Sequence, residues 1–201
     1  MLGAHADDIE IGCGATLMRL FAVYPTADVR WVVFSGSTNR REEAAESARR
    51  YTSELASPEL DFRRYRDGRF PFDAAEIKEF FDAELKAVTP DIVFTHWRDD
   101  RHQDHRVVSD LTWETFRNHV ILEYEVPKYD GDMGQPNLFV PVDRAAVDTK
   151  SAWLAECFAS QTGKQWFDAE IFQGLARLRG MECASESGYA EAFHARKLTI
   201  F

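Results

Sequence analysis

Short apolar runs alternate with longer amphipathic stretches along most of this chain. DVRWVVFS (28–35) is a continuous apolar run of strand length, and RREEAAESARRYTSEL (40–55), rich in Ala, Glu and Arg, predicts a helix. ELDFRRYR (59–66) alternates as a strand near a sheet edge does, and Asp67-Gly68 closes it with a turn signal. DAAEIKEFFDAELKAV (73–88) places Ile77, Phe80, Phe81 and Leu85 on one helical face; Pro90 stops that helix, and DIVFTH (91–96) predicts a second buried strand. Residues 97–104 are polar and predict a loop, and HRVVSDLTWETFRNH (105–119) a helix. VILEYEV (120–126) and NLFVPV (137–142) predict strands joined by the Gly/Asp/Pro-rich PKYDGDMGQP. Asp143 is placed to cap a helix running to about Phe158. The pattern then fades until FHARKLTIF (193–201), a predicted strand. Alternation of strands and helices of this kind implies an α/β fold, a parallel sheet covered by helices on both faces. No repeat, low-complexity segment or linker divides the chain, so one domain over 1–201 is expected.

Composition narrows the partners. Hydrophobic residues make up 45% and charged residues 29% of the 201, an ordinary globular balance, while the net charge is −10. That charge argues against a nucleic-acid surface and against a polybasic membrane anchor, because both need clustered cations. Local arginines still permit a small anionic substrate. Cys13, Cys157 and Cys183 are widely spaced and form no CxxC pair, so neither a disulfide framework nor a cysteine zinc site is expected. No apolar run approaches the roughly 20 residues of a membrane helix. No signal-peptide pattern precedes the first charged cluster. The expectation is a cytoplasmic protein without a membrane span, with a homo-oligomer left open.

Two clusters carry chemistry. AHADD (4–8) follows what little there is of a first strand, and HWRDDRHQDH (96–105) follows DIVFT. Acidic pairs and His-rich loops are often mere solvated surface. Ligands of open parallel sheets, however, collect at the carboxyl ends of the strands, so both clusters are expected on one edge. Two imidazoles and one carboxylate make a ligand set for a catalytic zinc with an open fourth position. A second carboxylate off the metal can take a proton from water. The pair Asp7-Asp8 suits that division, although spacing does not say which does which. Neighbours in an extended strand point to opposite faces, so a turn is needed, and Gly12 and Gly14 suggest a tight turn into a helix. They point to a phosphate site only weakly, because Leu17 stands where GxGxxG needs its third glycine. In HQDH the imidazoles of His102 and His105 are three apart and share a face if the segment is helical, with Asp104 placed to orient one of them.

These residues resemble a known family. AHADDIEIGCGATL is similar to the AHPDDxE signature of the LmbE-like, or PIG-L, de-N-acetylases, and HQDH to that family's HxDH motif. Arg40 and Glu43 resemble its RxxE helix, Asp67-Gly68 its DG turn, and SQTGKQWF and YAEAFH the C-terminal part of a bacterial subgroup. The resemblance implies a Rossmann-like three-layer α/β/α sandwich with a mostly parallel sheet. It implies one Zn2+ per chain and removal of an acetyl group from an N-acetylated amino sugar or its conjugate. By motif, it implies His5, Asp8 and His105 as zinc ligands and Asp7 as general base. It implies His102 as an imidazolium that stabilises the oxyanion and protonates the leaving amine, with Asp104 as its partner, and Arg40 and Asp67 as substrate contacts.

Two departures stand out. Ala6 replaces the family proline, which carries no functional group. Only Met1 to Ala4 precede His5, where the family has a full strand, so the expectation is a truncated first strand with under-paired neighbours and exposed apolar surface. His96 is expected to support the structure rather than bind metal. Trp97 and Trp166 are candidates for stacking on a sugar, and Tyr189, Glu191 and His194 for a return to the pocket or for packing. Two rival functions remain at this level: a metal-dependent amidase acting on a thiol or other glycoconjugate, and a non-catalytic sugar- or nucleotide-binding module.

Overall fold

The computed structural model describes residues 1–198. The apolar runs at 28–35, 59–66 and 91–96 become β2 (Arg30–Ser35), β3 (Glu59–Tyr65) and β4 (Ile92–His96). β1 is Leu2–Gly3, in register with Val32 and Val33 of β2, and β2 continues in parallel to β3. β4 pairs in parallel with β5 (Val120–Tyr124). β7 (Ala190–His194) then runs antiparallel between β5 and β6 (Leu138–Pro141). The first ladder thus has the order β1-β2-β3 and the second β4-β5-β7-β6.

Alternate strand residues feed opposite faces. Trp31, Val33, Phe94, Leu122, Tyr124 and Phe193 pack with α1 (Asp8–Val23), α2 (Thr38–Tyr51) and α5 (Arg144–Cys157). Val32, Phe34, Val93 and Ile121 pack with α3 (Phe70–Phe80), the π-helical turn Phe81–Leu85 and α4 (Gln103–Thr115). Helices therefore cover both sides of the sheet, as the α/β pattern implied. α6 (Ala169–Glu182) lies along β7 and has no counterpart in the sequence reading. Among the described residues no helix is long and apolar enough to cross a membrane.

Three expectations are corrected. The C-terminal strand is Ala190–His194 rather than 193–201. Ala190, Glu191, Ala192 and Phe193 are buried in this strand, 195–198 leave the sheet, and 199–201 lie outside the described residues. The two-residue β1 does not expose its neighbours: Leu2, Ala4, Val32, Val33, Val93 and Phe94 are all buried. Side chains join the two ladders there. The Tyr124 hydroxyl donates to Leu2 O at 2.7 Å, and the Ala4 N–H donates to His96 Nε2 at 2.9 Å.

The glycines are the third correction. Gly12 and Gly14 lie inside α1, not in the turn before it. A Cβ on Gly12 would sit 2.2 Å from the Tyr124 ring, and one on Gly14 would sit 2.5 Å from the Tyr51 hydroxyl, so glycine permits the close approach of helix to sheet and of helix to helix. Between them Cys13 leaves helical geometry (φ −145°, ψ 16°). The bond that Ala15 N–H would give Ile11 O is replaced by a buried ion pair. Lys150 Nζ donates to Ile11 O and to Glu191 Oε1, each at 2.6 Å, while Glu191 accepts Ala15 N–H (3.0 Å) and Thr16 N–H (2.6 Å). Glu191 thus caps the second half of α1 and does not return to the pocket. Lys150→Met is expected to cost about 3 kcal/mol, the lower end for breaking a buried pair, because Glu191 keeps its two amide donors. Urea unfolding measures this, and a loss below about 1 kcal/mol would contradict the role.

Candidate metal and catalytic centre

Strand order runs outward from β1 through β2 to β3, and outward from β4 through β5, so direction reverses between β1 and β4. Crevices at such a reversal, beyond the carboxyl ends of the strands, are where α/β sheets bind ligands. The chain from β1 turns through Ala4–Asp7 into α1, and the loop from β4 turns into α4. The two motifs meet there. α4 starts earlier than the helix expected at 105, so His102 is its N-cap and Gln103, Asp104 and His105 form its first turn. One helical turn then presents both imidazoles to His5. The His5 ring lies 4.7 Å from that of His102 and 5.1 Å from that of His105.

The donor atoms of His5, Asp8 and His105 are mutually close. His5 Nδ1 is 3.1 Å from His105 Nε2 and 3.2 Å from Asp8 Oδ2, and His105 Nε2 is 3.4 Å from Asp8 Oδ1. Tetrahedral ligands about 2.0–2.2 Å from an ion are separated by about 3.3 Å, so this spacing fits a small divalent metal. Three overlapping groups of side chains offer ligand atoms: His5, His102 and His105; Asp8, His96 and His105; and His5, Asp67 and Asp104. Hydrogen bonding separates them. His96 Nε2 already accepts Ala4 N–H, which occupies its lone pair. Asp104 accepts Gly68 N–H (2.7 Å) and Phe70 N–H (3.1 Å). His5 and His105 each keep the facing nitrogen open, because carboxylates hold the other one. His5 Nε2 is 3.2 Å from both Asp104 Oδ2 and Asp67 Oδ1, and His105 Nδ1 is 2.9 Å from Asp100 Oδ2. Carboxylates in this position fix the tautomer and orientation of a ligating imidazole.

The charges follow from these contacts. Burial opposes ionisation of Asp8, yet the imidazoles of His105, His5 and His96 outweigh it and hold its pKa well below the usual range. Asp8 also accepts His5 N–H at 2.6 Å and sits in the first turn of α1, where the helix dipole favours an anion. Burial pushes Asp7 upward, opposed by Arg40 and with Asp8 adding to the rise. Asp7 is 2% exposed; Oδ1 accepts from Arg40 at 2.8 Å, and Oδ2 has no hydrogen-bond partner among the described residues. Burial lowers the pKa of His96 to about 4, helped by His105, whose ring stacks on it at 3.9 Å.

Several expected roles shift. Asp104 does not partner the His102 ring; from the second position of α4 its carboxylate reaches His5 and the 68–70 backbone, while the His102 Nδ1 accepts Asp104 N–H at 3.2 Å. With Nδ1 accepting, the proton of the His102 ring belongs on Nε2. Burial and the neighbouring imidazoles of His105 and His5 lower its pKa, which favours a neutral donor over an imidazolium. Arg40 donates to Asp7 and to Glu43 (2.9 Å). Glu43 in turn accepts the Ser160 hydroxyl at 2.7 Å. Asp67 remains at the mouth, its side chain 75% exposed. Trp97 stacks on His194 at 4.5 Å. The residue that sequence reasoning missed is Asp100, buried and holding both His105 and the His102 N–H (2.7 Å). Its signal was its place two residues before HQDH.

Solved proteins share this architecture. N,N'-diacetylchitobiose deacetylase from Pyrococcus horikoshii superposes with a TM-score of 0.75 at 21% identity over 96% of this chain and 81% of that one. GalB, the 4-carboxy-2-hydroxymuconate hydratase of Pseudomonas putida KT2440, superposes at 0.72 with 18% identity, covering 100% and 96%. At such identities the likeness concerns the fold, which is that of the LmbE-like deacetylases and which also serves a hydratase. Sequence decides further. The chain belongs to the PIG-L, GlcNAc-PI de-N-acetylase, family, whose model matches residues 1–116. It is also 32% identical over 134 residues to the uncharacterized deacetylase YaiS of Escherichia coli (strain K12), covering 63% of this chain and 72% of that protein.

Proposed function

We propose that this chain is a zinc-dependent hydrolase that removes the acetyl group from an N-acetylated amino sugar or its conjugate. The observation that carries the reading is the triangle of His5 Nδ1, Asp8 and His105 Nε2 at 3.1–3.4 Å, beside a buried carboxylate with one oxygen unengaged. In it His5, Asp8 and His105 hold the ion, which when bound makes water a nucleophile near neutral pH and polarises an acyl oxygen.

The chain's own groups do the rest. Asp7 Oδ2 takes the proton of the attacking water, and Arg40 on Oδ1 fixes which oxygen is presented. His102 Nε2–H donates to the carbonyl oxygen as it gains charge, and a neutral ring suffices for that. The proton held by Asp7 passes to the amide nitrogen as the C–N bond breaks, leaving acetate and a free amine. Asp67, exposed beside His5, faces hydroxyls of the sugar.

The test is a panel of N-acetylhexosamine conjugates, with thiol conjugates and longer acyl groups included. Purified zinc-loaded protein is expected to release acetate and an equal amount of free amine from a subset of the sugars. Purification without stoichiometric zinc, together with no amine from any member, would contradict the reading and favour a binding module.

A further inference from the structure

The segment between β5 and β6 (125–137) looks in sequence like a plain connector, yet one of its side chains reaches the centre. Lys128 is half-buried, with 12% of its side chain exposed. Its ammonium lies 2.7 Å from Asp100 Oδ2 and 2.9 Å from Asp132 Oδ2, and donates to Val126 O at 3.0 Å. The ammonium also donates to Asp132 Oδ1 at 3.1 Å, so it is held by Asp132 and the backbone while it pairs with Asp100. Asp100 Oδ2 is the oxygen that faces His105 Nδ1 at 2.9 Å, while Asp132 Oδ2 also accepts Arg101 N–H at 2.7 Å. A continuous chain of contacts therefore runs from the 125–137 segment through Lys128 and Asp100 to His105.

We propose that Lys128 is a positioning residue of the metal centre, clamping Asp100 so that its carboxylate holds the His105 ring with Nε2 facing the ion. The electrostatics support the clamp. Two carboxylates lie within 3 Å of one nitrogen, so without that cation two anions face each other and their repulsion works against the contact of Asp100 with His105. Outer groups that orient a ligating imidazole contribute about ten- to a hundredfold to metal affinity. The same clamp fixes the 125–137 segment beside the loop that leads into α4. This inference rests on His105 being a zinc ligand.

The experiment compares full-length wild type, Lys128→Met and Lys128→Arg. Zinc affinity is measured by chelator competition, and the His105 ring N–H is followed by NMR in protein carrying 15N-labelled histidine. Wild-type protein that binds no zinc would remove the underlying reading. With zinc bound by wild type, Lys128→Met is expected to weaken binding about ten- to a hundredfold. Its His105 ring N–H signal should be lost to exchange with water, and Lys128→Arg should recover most of both. Affinity within about twofold of wild type in Lys128→Met, with an unchanged ring signal, would overturn the proposal, as would an arginine variant as weak as the methionine one. Should Lys128→Met fail to fold, Lys128→Gln carries the same comparison.

Discussion

Asp7→Ala is expected to keep its zinc and lose roughly 10²–10⁴-fold in kcat, the usual worth of a positioned general base. The two halves of that outcome have separate causes. Asp8 is anchored by the His5 amide and the facing imidazoles, none of which touches the Asp7 carboxylate, so the metal triangle should survive. Arg40 loses one acceptor but retains Glu43. What disappears is Oδ2, the Asp7 oxygen without a hydrogen-bond partner. Asp7→Asn is the sharper form, since it preserves shape and an acceptor for Arg40 while removing basicity. Free-amine release and elemental zinc are measured on the same preparations. An asparagine variant with wild-type kcat would show that Asp7 is not the base.

His105→Ala should lose its zinc. His105 Nε2 is within 3.4 Å of donor atoms on both His5 and Asp8, so its removal breaks two edges of the triangle at once. His102→Ala is the paired control. His102 and His5 come together with His105 as one alternative group of ligands, but in the proposed assignment His102 only donates to the substrate. That variant is expected to retain zinc and fall in kcat. Loss of zinc from His102→Ala would shift the ligand set toward that alternative, and zinc at wild-type stoichiometry in His105→Ala would remove His105 from the ligand set altogether.

Legibility followed range along the chain. AHADD and HQDH are short, and each sits where a strand ends, so a local pattern plus the rule for parallel sheets brought them together. Short apolar runs, one alternating stretch and the helical patterns located β2 to β6 and α2 to α5 for the same reason. What stayed hidden depends on partners far away in sequence. The roles of Gly12 and Gly14 are set by Tyr124 and Tyr51, and Lys128 acquires its role only once Asp100 lies beside it. Asp104 has the right spacing to orient an imidazole. Which imidazole it holds depends on α4 beginning at Gln103, a boundary that a polar stretch does not announce. α6 begins at an ordinary Asp cap, Asp168, after a stretch whose apolar residues keep no clear period.

The bent first helix sets an order of events. Asp7 and Asp8 leave the ribosome before the HQDH turn, which follows about a hundred residues later. Yet the helix that carries Asp8 is interrupted at Cys13, and the groups that close the gap, Lys150 and Glu191, belong to the last third of the chain. At a synthesis rate of about 5–20 residues per second, both motifs exist for several seconds before the side chains that brace α1. A nascent chain can therefore hold every ligand of the proposed metal triangle and still lack the ion pair that braces α1. In this protein the centre's ligands are made before the ion pair that braces the helix carrying Asp8.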